Sequence, residues 1–344
     1  MHYPLLFEPI YKDYIWGGRR LGEFGKKLPE GKTAESWEIA CHPDGTSIVA
    51  NSPDKGCSLQ DLIDRNPKAV LGSEIYEEGS NKFPLLIKLI DANKDLSVQV
   101  HPNDDYARKN ENGELGKSEM WYVVDANPGA RLVSGVNRGI SKSDFEKSIE
   151  QGNVEDCLNF VEVNPGDCFN IPAGLVHAIG AGNLICEIQQ NSNTTYRVYD
   201  YNRTDDHGNK RPLHVDKALD VMDFSERSKI KYTGLSIKEK NCKRTFLVAG
   251  EYFAAEHIVY DGSFEEDTES ERFHCYTVLD GEMEINGEKI QKAHSCLVPA
   301  DAGQYTVKGS GIVIKSYVPD IQKNVMFPLM DAGYGINEIE DTIM

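Results

Sequence analysis

Ser97-Val98-Gln99-Val100-His101 alternates polar and apolar side chains with a period of two, the signature of a half-buried β-strand. Ser97, Gln99 and His101 share one face, Val98 and Val100 the other, so Gln99 and His101 can point together into a barrel interior. Two later single donors extend the set: Glu119, and His177 at the end of Pro172-Ala-Gly-Leu-Val-His177. A close pair followed by two singles, each in a strand-like or tight-turn segment, is the pattern of a metal held between the strands of a β-barrel. A mixed nitrogen and oxygen set suits a borderline divalent ion such as zinc, and three or four protein ligands plus water make a catalytic rather than a structural site. A lone strand His is more often a hydrogen-bonded core or surface residue, so the reading rests on the surrounding pattern.

That pattern continues along the chain. Strand-like stretches bounded by Gly, Pro and Asn occur at 47–50, 85–90, 120–125, 184–190, 246–248 and 276–279. Helical patterning is confined to 59–64 behind Ser58 as N-cap, 105–109, 141–149 with Phe145 and Ile149 four apart, and 214–224. Many strands and few helices predict a mainly β protein built as jelly-roll barrels with inserted helices. Residues 274–318 look like a smaller second copy, with an Asn286-Gly287 turn and a Cys296-Leu-Val-Pro299-Ala-Asp-Ala-Gly303 run that parallels Phe169-Asn-Ile-Pro172-Ala-Gly174. It has no His matching His177, Tyr305 being the nearest polar side chain, so a degenerate, metal-free barrel is expected. Ser225-Glu-Arg-Ser-Lys229 is polar and unpatterned. The expected division is therefore a catalytic metal-binding domain over 1–235, with helical insertions, and a second barrel with a tail over 236–344.

Composition narrows the function. A chain of 344 residues with 40% hydrophobic and 27% charged residues can build a real core. No apolar run approaches the ~18 residues of a membrane helix, and the amino-terminal segment lacks the basic flank and apolar core of a signal peptide. A cytoplasmic protein with no membrane partner is expected, as a monomer or weak homodimer. The net charge of −18 argues against nucleic acid, but local cations at Lys117, Arg197 and Arg203 can still attract a small anionic substrate. Eight cysteines without a C-x-x-C pair read as buried reduced thiols.

Gly166-Asp-Cys-Phe-Asn-Ile-Pro172-Ala-Gly174-Leu-Val-His177 resembles the second motif of the cupin superfamily, with Gly, Pro, Gly and His at its characteristic intervals. Physically, Gly166-Asp167 makes a hairpin turn, Pro172 sets an edge-compatible bend, and Gly174 permits the twist that aims His177 inward. The match sharpens in four segments: Ala34-Glu-Ser-Trp37-Glu-Ile-Ala-Cys-His42-Pro, Leu96-Ser-Val-Gln99-Val-His101-Pro-Asn-Asp, Gly116-Lys117-Ser-Glu119-Met-Trp121-Tyr, and Pro172 to Ile179. These are similar to type I mannose-6-phosphate isomerases, the compact bacterial form being nearest in length. Tyr196-Arg197-Val-Tyr-Asp200-Tyr-Asn-Arg203 and Arg211-Pro-Leu-His214 suit the same group.

The resemblance implies one zinc ion per chain, held by Gln99, His101, Glu119 and His177, the set already read from spacing. It implies an aldose–ketose isomerase that interconverts mannose 6-phosphate and fructose 6-phosphate through ring opening and an enediol. Lys117, on the strand face of Glu119, is a candidate base whose pKa an adjacent dication would depress; its other reading is a phosphate cation. Glu187 matches an active-site Glu of the family and is the rival base, its other reading a buried structural hydrogen bonder. Arg197 matches the catalytic Arg, stabilising the enediolate or holding phosphate, with a structural ion pair to Asp200 or Asp216 as the alternative. Trp16 and Asn193 join Lys117 and Arg197 as substrate-binding candidates, while Trp37 reads as core. Arg203 and Lys210 are weaker phosphate candidates. Two departures leave the ring-opening acid/base open: Gly116 stands where longer members carry a His, and Asn193 where they carry an Asp. The alternative functions are a cupin metal-dependent dioxygenase, which Gln99 in a His position weighs against, and a non-catalytic sugar-binding cupin.

Overall fold

The structure is a computed structural model that describes residues 3–51, 53–78, 80–204, 207–227 and 229–344. Met1 and His2 of the amino-terminal segment and Ser228 of the polar stretch at 225–229 lie outside the described residues.

The alternating segment forms the strand Val98–Val100, near one edge of a five-stranded antiparallel sheet. Its order is Leu158–Glu162, Arg131–Val136, His177–Ile179, Val98–Val100, Tyr196–Tyr199. A six-stranded sheet faces it, ordered Cys168–Ile171, Glu119–Ala126, Asn183–Gln190, Leu85–Ala92, Glu35–Ile39, Ile10–Lys12. Between them, Trp121, Ile90, Phe169 and Ile185 of one sheet pack on Leu132 and Ile179 of the other. The back of the five-stranded sheet, where Val98 and Val100 point, is covered by Phe145 of the helix Lys142–Gln151 and by Ala218 and Leu219 of the helix Val215–Val221. Both helices lie where the periodicity predicts them, and Ser141 caps the first through a reciprocal bond with Asp144.

The back of the six-stranded sheet meets the C-terminal half. Leu85, Ile87, Leu89, Met120 and Cys186 share one core cluster with Leu247, Phe273, Leu297 and Ile314. This explains why Leu85–Ala92 is buried at every residue: a strand covered on both faces is written as a nearly continuous apolar run. The C-terminal half is a nine-stranded sheet dominated by Cys242–Ala249, Ala254–Asp267, His274–Ile285 and Gln304–Tyr317. The amino-terminal strand Leu5–Glu8 joins it, with Leu5 opposite Leu297 and Phe7 opposite Val49. The Asn286-Gly287 turn is present, both residues having positive φ. The tail, which the sequence pattern leaves unplaced, forms the short helices Phe327–Asp331 and Ile336–Ile343, whose Leu329, Ile339 and Ile343 pack on Leu235 and Phe246. Two further helices, Arg20–Phe24 and Pro67–Leu71, carry only five residues each and are too short to show a period. Among the described residues no helix is long and apolar enough to cross a membrane.

Candidate metal centre

Strand register brings the donors together. In the five-stranded sheet Arg197 stands opposite Gln99, and Gln99 opposite His177. Directly opposed residues share a face, so these three form one row. In the facing sheet Trp121 stands opposite Glu187, Glu187 opposite Lys88, and Lys88 opposite Trp37. Glu119, two residues before Trp121, lies on the same face. The turn before His177 is tied to the other ligand strand, because the Gly174 amide donates to the His101 carbonyl at 2.9 Å. Gly174 has φ +88° there, and an added Cβ would lie 3.0 Å from the Val221 carbonyl oxygen, so the position suits glycine.

His101 Nε2 lies 2.6 Å, and His177 Nε2 3.7 Å, from Glu119 Oε1. The three ligand atoms fall within 4.8 Å of one another, and all three residues are buried. Each ring places Nδ1 at 2.8 Å from a backbone carbonyl, that of Thr194 for His101 and of Leu175 for His177. A carbonyl only accepts, so Nδ1 carries the proton and Nε2 presents a lone pair. Burial, then Lys117, pushes His101 well below the ordinary histidine range, and burial also lowers His177. Burial alone would raise Glu119, but Lys117 leads the groups that hold it below the usual carboxylate range. Three electron-pair donors thus face one another, and Glu119 Oε1 has no hydrogen-bond partner. Such a convergence is unfavourable without positive charge beside it; Lys117 supplies part of that charge, and two imidazoles with a carboxylate suit a divalent metal. The Gln99 side-chain amide, 3.4 Å from His177 Nε2, stands at the same point.

The remaining polar groups surround this set. Lys117 Nζ is 3.2 Å from His101 Nε2 and 3.3 Å from Glu119 Oε1, an ion pair rather than an aligned hydrogen bond to the carboxylate. The Trp121 indole N–H donates to both Glu119 Oε2, at 3.0 Å, and Glu187 Oε2, at 2.9 Å. Lys88 Nζ pairs with Glu187 Oε1 at 3.1 Å and reaches Glu35 Oε2 at 3.8 Å. Burial would lower the Lys88 ammonium, yet Glu187 and then Glu35 hold it above the ordinary lysine range. Burial, then Glu119, raises Glu187. These groups border a cleft of about 280 Å³ lined by Trp16, Lys88, Lys117, Glu187, Asn193 and Arg197, among others. A larger cavity of about 370 Å³ lies between Val136 and Phe224 and contains none of the donors.

The structure therefore brings together nine of the candidates from sequence, Gln99, His101, Lys117, Glu119, His177, Glu187, Arg197, Trp16 and Asn193, but not the weaker phosphate candidates Arg203 and Lys210. The Arg197 guanidinium donates to Ser97 Oγ at 3.2 Å and the Pro212 carbonyl at 2.9 Å, and among the described residues no carboxylate pairs with it. Asp200 is instead held by Arg203 and Arg211, each at 2.5 Å, while Lys210 bonds Asn202 on the surface. Trp37 is core, fully buried with its indole N–H on Glu35 Oε2. Lys88, Glu35, Trp121 and Arg211 were not singled out from sequence. The available signal was a charged residue interrupting Leu85-Leu-Ile-Lys88-Leu-Ile, since lysine is rarely buried unless paired. At Gly116 a Cβ would lie 2.5 Å from the Asn103 carbonyl carbon and the Asp104 nitrogen, so this backbone leaves no room for a His.

Facing sheets with a buried His–Glu–His donor set between them define the class, a cupin-type protein with a site fit for a metal. Residues 5–127 match the family model "Phosphomannose isomerase type I, catalytic domain", and residues 243–318 match "Mannose-6-phosphate isomerase, cupin domain". The chain is 38% identical to mannose-6-phosphate isomerase ManA of Bacillus subtilis over 322 residues, covering 92% of this chain and 99% of ManA. It is 40% identical to the mannose-6-phosphate isomerase of Streptococcus mutans over 261 residues, covering 76% and 80%. The crystal structure of the mannose 6-phosphate isomerase from Bacillus subtilis superposes with a TM-score of 0.83 at 35% identity, covering 91% of this chain and 99% of that one. The chain belongs to the type I mannose-6-phosphate isomerase family of enzymes.

Proposed function

We propose that the protein interconverts mannose 6-phosphate and fructose 6-phosphate by opening the sugar ring and moving a proton between C1 and C2 through an enediol. The convergence of His101 Nε2, His177 Nε2 and Glu119 Oε1 beneath a cation-bordered cleft carries this reading. Gln99, His101, Glu119 and His177 are the residues that hold a single zinc ion. When bound, that ion supplies an electrophile that polarises the sugar carbonyl and favours negative charge on its oxygen.

The protein's own groups do the rest. Lys117, beside His101 and Glu119, and Glu187, linked to Glu119 through the Trp121 indole, are the two candidates for taking the C2 proton and returning it at C1. Glu187 is the better supported, because burial and Glu119 raise its carboxyl toward the range where an acid/base works best. Lys117 is then the positive group beside the developing negative charge. Arg197, with no carboxylate partner among the described residues and a planar fork facing the cleft, receives the phosphate or the enediolate oxygen. Trp16 and Asn193 line the place where the sugar ring would lie.

In this reading residues 1–235 form the metal-holding jelly-roll unit and 236–344 a second, degenerate unit without metal. The separate family matches to 5–127 and 243–318 support that division. We place the protein in the cytoplasm, acting on a free hexose phosphate as a monomer or weak homodimer.

Chelation should abolish conversion of mannose 6-phosphate, and readdition of zinc should restore it. Turnover that survives complete metal removal would overturn the reading. Glu187→Ala should also stop solvent deuterium from entering fructose 6-phosphate at C1, whereas Lys117→Ala should lower kcat but leave some exchange. Near-normal turnover in either variant removes that residue from the proton path.

A further inference from the structure

The C-terminal sheet is expected to lack a metal, yet its inner face is far from apolar. Glu256 stands opposite Lys315, Lys315 opposite Tyr276, and Glu266 opposite Tyr305. Arg244 donates from Nη1 to Glu256 Oε2 and from Nη2 to Glu266 Oε1, the latter at 2.6 Å. Lys315 Nζ is 2.6 Å from Glu266 Oε2, and Tyr317 donates to Glu256 Oε1 at 2.6 Å. His274 Nδ1 and the Tyr276 hydroxyl meet the Tyr305 hydroxyl at 2.7 and 2.8 Å. The polar residue nearest the place that corresponds to His177 thus belongs to a hydrogen-bonded trio with His274 and Tyr276. The charged side chains are at most 10% exposed. A cleft of about 280 Å³ opens over them, the same size as the cleft over the metal centre, with Asn324 and Pro328 of the tail on its rim.

Such a network of buried charges is a weak source of stability, because each charge loses its hydration and apolar replacements are often as stable. At the base of an open cleft it makes a ligand floor. Its charge selects the ligand. At the floor Arg244 and Lys315 are balanced by Glu256 and Glu266, Glu239, Asp267 and Lys323 add one net negative charge around it, and burial and then Lys315 keep His274 neutral. A phosphate carries net negative charge, accepts more hydrogen bonds than it donates and would be forced against two carboxylates. Hydroxyl groups both donate and accept, so they match a floor on which carboxylate oxygens alternate with N–H groups. We propose that this cleft is a second binding site, for a neutral polyol of about monosaccharide size.

The test uses the full-length, metal-loaded protein with mannitol as probe, read by calorimetry and by saturation-transfer NMR. His101→Ala is run in parallel so that binding over the metal centre is separated from binding here. Mannitol should saturate both the wild type and His101→Ala. Glu266→Gln should weaken it at least tenfold, and Asn324→Trp, which fills the mouth and leaves the buried charges intact, should abolish it while isomerase turnover is unchanged. Failure of mannitol to saturate the wild type, equal binding in Asn324→Trp, or displacement of mannitol by inorganic phosphate would each overturn the proposal.

Discussion

Arg197 illustrates what one side chain contributes once its neighbours are known. Its guanidinium is steadied by Ser97 Oγ and the Pro212 carbonyl, and burial, then Arg211, makes its proton somewhat easier to lose; a guanidinium stays charged regardless. A lysine at this position keeps the charge but loses the fork that makes two directed bonds. Arg197→Lys should therefore raise KM for the phosphosugar at least tenfold, with metal content per chain unchanged. Steady-state kinetics beside elemental analysis checks this, and an unchanged KM excludes the substrate role. The legibility of individual residues follows the same logic. Gln99 and His101 could be read because two donors one residue apart must share a strand face. For Lys88 the apolar run signals only a buried, paired lysine; its partner could not be read, because that depends on standing opposite Glu187, and a register is invisible in one strand taken alone.

Among the elements, the segment that delivers Lys117 and Glu119 has the narrowest tolerance. The helix Asp104–Asn110 is capped by Asn103, and the chain then returns so that Lys117 N–H donates to the Pro102 carbonyl at 3.0 Å. Gly116 passes against Asn103 and Asp104 with no space for a side chain, its own N–H donating to Asp104 Oδ1 at 2.7 Å. Gly116→Ala forces backbone against backbone and should destabilise the protein by about 1–3 kcal/mol, the usual range for overpacking. Because the shift lands next to Lys117, kcat should fall more than metal affinity does. Denaturant midpoints with kinetics and metal titration separate the two effects, and wild-type values in all three would show that the loop yields freely. The strands and the capped helices around this loop were legible from alternation and from Ser58 and Ser141. The loop's path was not, because a close backbone approach leaves only a glycine as its trace.

At the scale of the molecule, the question is whether the half with the candidate metal centre and the C-terminal half stand as separate folding units. Their sheets are distinct in strand order, but they are joined twice. The back of the six-stranded sheet packs into the same core cluster as Leu247, Phe273 and Ile314, and the strand Leu5–Glu8, first in sequence, pairs with Ser295–Val298 near the other end of the chain. Leu5 is fully buried within that shared cluster. Neither half can lose this seam without exposing apolar surface on the other, so heating should give one cooperative transition with calorimetric and van't Hoff enthalpies that agree. Leu5→Ala removes side-chain volume from the seam and should cost about 2–5 kcal/mol. If the halves are coupled as the packing requires, that single change lowers the one transition as a whole, and fluorescence from Trp16, Trp37 and Trp121, all three in the half with the candidate metal centre, reports the same midpoint as circular dichroism. Two resolved transitions, with only the C-terminal one displaced by Leu5→Ala, would mean that the shared core does not bind the two halves into one unit.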